Sequence, residues 1–231
     1  MIKLITFDLD NTLWEVMPVI MRAEQTMRAW LEQRVPTYPT TITSQKMSEL
    51  RQAALAENPQ LIYNISDMRL FLLERALILC GEKTGSAGEL AQEAFEIFMQ
   101  GRNAVTLYPG AEAMLKELSS RYRLAALTNG NADISVMPIN RYFEFSMSPE
   151  KVQARKPSKE IFTATLQIAK CSADEVIHVG DNLLEDVDGA VAAGWQAVWA
   201  NIGGEPAPLN PGYSAQITKL EQLPQALAAI S

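Results

Sequence analysis

A chain of 231 residues has room for one large domain or two small ones. Its apolar fraction of 48% and charged fraction of 20% lie near globular averages and exclude disorder throughout. A net charge of −7 argues against partnership with nucleic acid or anionic lipid, both of which reward basic patches.

The first expected strand is Ile2, Leu4, Ile5 and Phe7, running into Asp8 and Asp10. Those acids interrupt the apolar stretch that a signal peptide would need. From Pro18 to about Gly101 helical patterns dominate, split by Pro36, Pro39, Pro59 and the Gly81–Gly88 stretch. Helices are expected over Ile20–Arg34 and Ser44–Glu57, then from an N-cap at Ser66 to Gly81. A fourth opens on the capping-box spacing of Ser86 and Glu89. Glu74 and Arg75 break the most apolar of these stretches, so no membrane span is expected. Cys80 and Cys171 form no CxxC pattern, and reduced thiols in a cytoplasmic setting are the expectation.

After Pro109 and Gly110, strand and helix alternate. Strands are expected at Leu124–Leu127, Phe143–Met147, Val176–Val179 and Gln196–Ala200, with helices at Ala111–Tyr122, Lys159–Lys170 and Leu183–Ala193. The Ser172–Glu175 spacing imitates a capping box, but a strand follows too soon for it to open a helix. Asn201–Gln216, rich in Gly and Pro, reads as a loop before a last helix near Leu220–Ala229. Apolar strands separated by helices describe an α/β fold: a Rossmann-like, doubly wound parallel sheet with an inserted four-helix-bundle cap. The expected boundaries are 1–15 and 102–231 for the discontinuous core and 16–101 for the helical domain.

Ligands of such sheets bind at the carboxyl ends of the strands. There the sequence puts Asp8 and Asp10 after the first strand, Thr128 and Asn129 after the second, Lys156 after the third, and Asp181 and Asp186 after the fourth. Residues i and i+2 of an extended chain face the same side, roughly 6.5–7 Å apart, so Asp8 and Asp10 can address one reacting centre. Acids at neighbouring strand ends repel unless a cation intervenes, and hard oxygen ligands suit Mg²⁺. A hydroxyl, turn N–H groups beside Gly130 and a lysine ammonium together suit phosphate. His178 reads as a packed strand residue with no chemical role.

The ordered set Asp8–Thr12 (DxDxT), Thr128–Gly130, Lys156 and Gly180–Asp186 (GDxxxxD) resembles the haloacid dehalogenase-like hydrolase superfamily over nearly the whole chain. The resemblance implies a phosphatase in which Asp8 is the nucleophile, forming an aspartyl-phosphate, and Asp10 the general acid and base. It implies that Asp8, the Asp10 carbonyl and Asp181 hold Mg²⁺ with Asp186 behind them, and that Thr128, Asn129 and Lys156 hold the phosphoryl oxygens. An acid at position 10 sets the chain apart from the dehalogenase branch. Trp14 and Glu15, directly after the first motif, are candidate substrate contacts, with packing between the helical insert and the core as the equal alternative for Trp14.

The Leu127–Met147 stretch is similar to a bacterial subgroup acting on flavin mononucleotide and the phosphorylated ribitylaminopyrimidine of riboflavin synthesis. Nucleoside monophosphates and sugar phosphates are the alternative substrates. A phosphoacceptor signalling module, a phosphomutase and a non-catalytic scaffold are the rival functions. The expected partner is a small phosphorylated metabolite, and the oligomeric state is left open.

Overall fold

The structure, a computed structural model, describes residues 1–209 and 211–230. It divides into two units, one of Met1–Val16 with the chain from Thr106 onward, the other of Met17–Val105.

The first unit carries β1 (Leu4–Phe7), β2 (Arg123–Leu127), β3 (Phe145–Met147), β4 (Val176–Gly180), β5 (Gln196–Ala200) and β6 (Ala215–Ile217). They form one sheet in the order β3-β2-β1-β4-β5-β6, with every pairing parallel. Every residue of β1 and β4 is buried, as expected of strands covered on both faces; their only side chains able to hydrogen-bond, Thr6 and His178, lie side by side in the register. Phe7, Leu4 and Ile5 are fully enclosed, each contributing about 1.5–3 kcal/mol relative to exposure.

The chain runs outward from β1 through β2 to β3, then returns to β4 on the other side of β1. That reversal opens a crevice at the carboxyl ends of β1 and β4, where side chains from separate strands converge. The register pairs Phe7 with Ala126 and with Val179, so Asp8, Thr128 and Asp181 emerge from adjacent strand ends.

The second unit is helical: α1 (Val16–Arg34, its first residue in the other unit), α2 (Tyr38–Thr41), α3 (Ser44–Glu57), α4 (Ile65–Leu79) and α5 (Thr84–Asn103). Val19, Ala23, Met27 and Leu31 make one buried stripe along α1. Gly101 of α5 meets it closely, since a Cβ there would lie 2.8 Å from the Cα of Ala23. The remaining helices, in the first unit, are α6 (Ala111–Ser119), α7 (Pro149–Val152), α8 (Lys159–Ala169), α9 (Gly189–Ala192) and α10 (Leu223–Ile230). Among the described residues no helix is long and apolar enough to cross a membrane.

Several local expectations need correction. The stretch read as a loop over 201–216 contains the start of β6, a three-residue edge strand too short to give a periodic signal. The helix expected over Leu183–Ala193 is a π-helical turn, Leu183–Asp188, followed by α9; wide turns of this kind are frequent at functional sites. Ser66 does not cap α4, because Asn64 precedes it and accepts the N–H of Asp67. Ser86 lies inside α5 and donates to the carbonyl of Lys83. The Ser172–Glu175 capping box, by contrast, is formed, around a single 3₁₀ turn at Ala173–Glu175.

Candidate active site

β1 delivers Asp8 into the crevice, and the chain then closes a tight loop. Leu13 N–H donates to the Leu9 carbonyl, and Asn11 N–H to that of Trp14 at 2.7 Å. Asn11 takes a φ of 61°, a left-handed conformation that asparagine tolerates better than most residues. Its side chain accepts the Val16 N–H, and the Thr12 hydroxyl reaches Asp181 Oδ1 at 3.0 Å. The loop after β1 is thereby tied to Asp181 after β4.

Lys156 is almost completely buried, which an ammonium tolerates only with its donors satisfied. Its Nζ donates to Asp8 Oδ1 at 2.7 Å, to Asp186 Oδ1 at 2.6 Å and to the Leu127 carbonyl at 2.6 Å. Burial pulls its pKa down, but the charges of Asp186 and Asp8 outweigh that and hold it above the usual lysine value.

Asn129 braces the same residue. Its Oδ1 accepts the Lys156 N–H at 2.8 Å, while its Nδ2 donates to the Lys156 carbonyl at 2.9 Å and to Glu185 Oε2 at 2.8 Å. Both ends of this amide are thus committed to the Lys156 segment and Glu185, whereas Thr128 and the turn after it border the cleft.

Asp186 is the buried anchor of the cluster. Oδ1 meets Lys156 and His178 Nε2, the latter at 3.0 Å, and Oδ2 accepts the Asn182 N–H. Burial pushes its carboxyl up, but Lys156 and His178 reverse the sign and hold it well below the ordinary range. Gly180 leaves room for that carboxylate, because a Cβ there would overlap Asp186.

His178, read from sequence as a packing residue, touches Asp186 with one ring nitrogen and Thr6 Oγ1 with the other at 2.8 Å. Burial keeps its pKa below the usual histidine value. It is a positioning partner that the sequence reading missed. The Thr6–His178 pairing across β1 and β4 is the signal, and it appears only once the register is known.

Asp8 and Asp181 carry the opposite perturbation. Burial pushes Asp8 up to about 8, against the pull of Lys156 and with a further push from Asp186. Burial likewise raises Asp181 to about 6, with the Asp186 charge adding and the Thr12 hydroxyl opposing. Asp8, Asp181 and Asp186 each offer a carboxylate oxygen, and these atoms lie within 4.8 Å of one another. Three acids face one buried ammonium, leaving two negative charges uncompensated when all are ionised. Hard oxygen donors with that excess charge fit a divalent cation.

Trp14 is fully buried and donates its indole N–H to Asp10 Oδ1 at 2.9 Å. Glu15 is exposed beside it. The cleft, about 190 Å³, is bordered by Asp8, Asp10, Thr128, Asn129, Asp181 and Glu185. Trp14 lies behind Asp10 and not on that border. Trp199 plays a matching part for β4, donating its indole N–H to the Asp181 carbonyl at 2.8 Å.

A parallel sheet with acids from β1 and β4 meeting a buried lysine at its switch point defines the class: residues 2–194 match the haloacid dehalogenase-like hydrolases, and the chain belongs to that family. A solved 2-haloacid dehalogenase from Pseudomonas syringae pv. Tomato is 37% identical, with a TM-score of 0.94 and 100% of both chains covered. The 5-amino-6-(5-phospho-D-ribitylamino)uracil phosphatase of Escherichia coli is 29% identical over 198 residues, 86% of this chain and 83% of that protein. A solved HAD phosphatase from Thermococcus onnurineus is 25% identical, with a TM-score of 0.66 and 98% of each chain covered.

Proposed function

We propose that this hydrolase is a Mg²⁺-dependent phosphatase of small phosphomonoesters working through a phosphorylated Asp8. The observation that carries the reading is the contact of Lys156 with Asp8 beside Asp181, with Asp10 two residues further along the chain. Asp8 Oδ attacks phosphorus while the bond to the leaving oxygen breaks, and Asp10 gives its proton to that oxygen. Asp10, now a carboxylate, takes a proton from water, whose oxygen attacks the acyl-phosphate. Phosphate leaves and Asp8 is regenerated. Thr128, the Asn129 N–H and the charge of Lys156 stabilise the phosphoryl oxygens, while the Gly130 N–H holds Thr128 Oγ1. Bound by Asp8, Asp181 and the Asp10 carbonyl, with Asp186 behind, Mg²⁺ would neutralise charge on the phosphoryl group and on the acids themselves.

The name of the Pseudomonas syringae relative raises a second reading, dehalogenation. A halide leaves as a stable anion and needs no proton, whereas an alkoxide does, so Asp10 favours phosphate esters. For the substrate we assign flavin mononucleotide or the phosphorylated ribitylaminopyrimidine, in keeping with the Escherichia coli relative. A nucleoside monophosphate or sugar phosphate is the alternative. A cleft of about 190 Å³ is smaller than the roughly 300–1,000 Å³ of whole-ligand pockets, so it suits the phosphoryl end alone. Phosphate release from a panel of these metabolites and chloride release from a 2-chloro carboxylic acid, each with and without Mg²⁺, test the assignment. Chloride release without phosphate release would reverse it.

A further inference from the structure

We infer that Trp14 is a positioning residue for the general acid, holding the Asp10 carboxyl so that its transferable proton sits on Oδ2. The inference rests on the phosphatase reading above.

An indole N–H can only donate, so at 2.9 Å the Oδ1 of Asp10 must accept. A proton on Asp10 is therefore directed to the other oxygen. An aspartate side chain has two rotatable bonds, and fixing one oxygen in place sets the plane of the carboxyl. The donor is itself immobile. Trp14 is wholly enclosed, and Asp10 and Trp14 form a backbone bridge. The Trp14 carbonyl accepts the Asn11 N–H, Trp14 also bridges to Leu107, and Tyr108 N–H donates to the Leu13 carbonyl at 2.8 Å. Asp10, by contrast, is only half-buried and borders the cleft. The rigid part of the loop thus sets the direction of its reactive part, the arrangement that proton transfer to a leaving oxygen requires.

In the step concerned, the Asp8–phosphorus bond forms, the bond from phosphorus to the leaving oxygen breaks, and the Asp10 proton moves to that oxygen. An alkoxide leaving group depends on this proton, whereas a dinitrophenolate does not. Packing alone would affect both kinds of ester alike, so leaving-group dependence separates positioning from structure.

The experiment compares kcat/KM for an alkyl phosphate and for 2,4-dinitrophenyl phosphate in the wild type, Trp14→Phe and Asp10→Asn. The Trp14→Phe enzyme is expected to lose about tenfold on the alkyl ester, the value of one aligning hydrogen bond, and less than about twofold on the activated ester. Asp10→Asn should show the same selectivity with a larger alkyl loss. Equal losses on both esters in Trp14→Phe, or no loss on either, would overturn the role of Trp14 while Asp10 kept its own. An unselective Asp10→Asn would overturn the phosphatase reading of Asp10 and the inference with it. Should Trp14→Phe fail to fold, benzothienylalanine in place of Trp14 keeps the ring shape, carries sulfur where the N–H was, and must show the same selective loss.

Discussion

The Nζ of Lys156 lies 2.7 Å from Oδ1 of Asp8, and both side chains are buried. The same nitrogen holds Asp186 and the Leu127 carbonyl, so one ammonium ties β1, β2 and the turn after β4 into a single electrostatic unit. The reacting carboxyl is oriented before any substrate arrives, with an ammonium in place to balance its charge once ionised. Removing that partner tests stability and function together.

Lys156→Ala leaves Asp8 and Asp186 buried without their cation. Breaking a buried pair by deleting one member typically costs about 3–5 kcal/mol, and urea denaturation should register a loss of that order. Phosphate binding should weaken in parallel. A variant with wild-type stability would show that the ammonium is not the balancing charge of the cluster.

Gly180→Ala drives a methyl group into the Asp186 carboxylate. Because that carboxylate anchors Lys156, His178 and the Asn182 N–H, the site is displaced through its base. Turnover should fall at least about tenfold, the rate equivalent of roughly 1.4 kcal/mol. Measured rates close to wild type would place Asp186 further from the strand than described.

The pH dependence of the metal-free protein follows from the raised acids. Asp8 at about 8 and Asp181 at about 6 keep protons in the folded state that the unfolded chain releases near 3.8. Their contribution is complete below 3.8 and is lost as pH rises through the folded values. His178, held below the ordinary histidine value of 6.5, contributes fully above 6.5 and loses its contribution as pH falls. Between pH 6.5 and 8, above the Asp181 value of about 6, the loss falls mainly to Asp8, so the Tm in EDTA should fall as pH rises. Saturating Mg²⁺ should raise Tm most at the upper end of that window, where the carboxylates are ionised. A Tm in EDTA that stays flat or climbs there contradicts the picture of crowded, under-neutralised acids.

Asn129→Ala removes the amide that bonds both sides of the Lys156 peptide unit and Glu185. The lysine should lose alignment without losing charge. A rise in KM with a smaller fall in kcat is expected, and steady-state kinetics read the split.

Much of this was legible in the chain because strong local signals agreed with the tertiary demand. The runs leading to Asp8, Leu127 and Gly180 are mostly apolar, since both faces of those strands are covered, and their ends carry the chemistry. Features set by neighbours distant in sequence left no such trace. β6 gains its partner from β5, and three residues beside a Gly- and Pro-rich stretch carry no period. His178 looks like any strand residue until Thr6 and Asp186 are set beside it. Trp14 has two readings by position alone, substrate contact or packing, and neither foresees that its indole N–H turns to Asp10. Serine caps failed where asparagine or a nearby carbonyl competed, whereas the Ser172–Glu175 box, discounted because a strand follows so soon, forms around a single turn.

The central claim is that Asp8 carries the phosphoryl group between substrate and water. Acid quench of the enzyme with Mg²⁺ and a turned-over phosphomonoester, followed by mass analysis of the Asp8 peptide, measures it most directly. The wild type should yield a peptide heavier by one phosphoryl group, and Asp8→Asn neither that adduct nor phosphate release. Sustained release by Asp8→Asn, or the phosphoryl group on another residue, would contradict it.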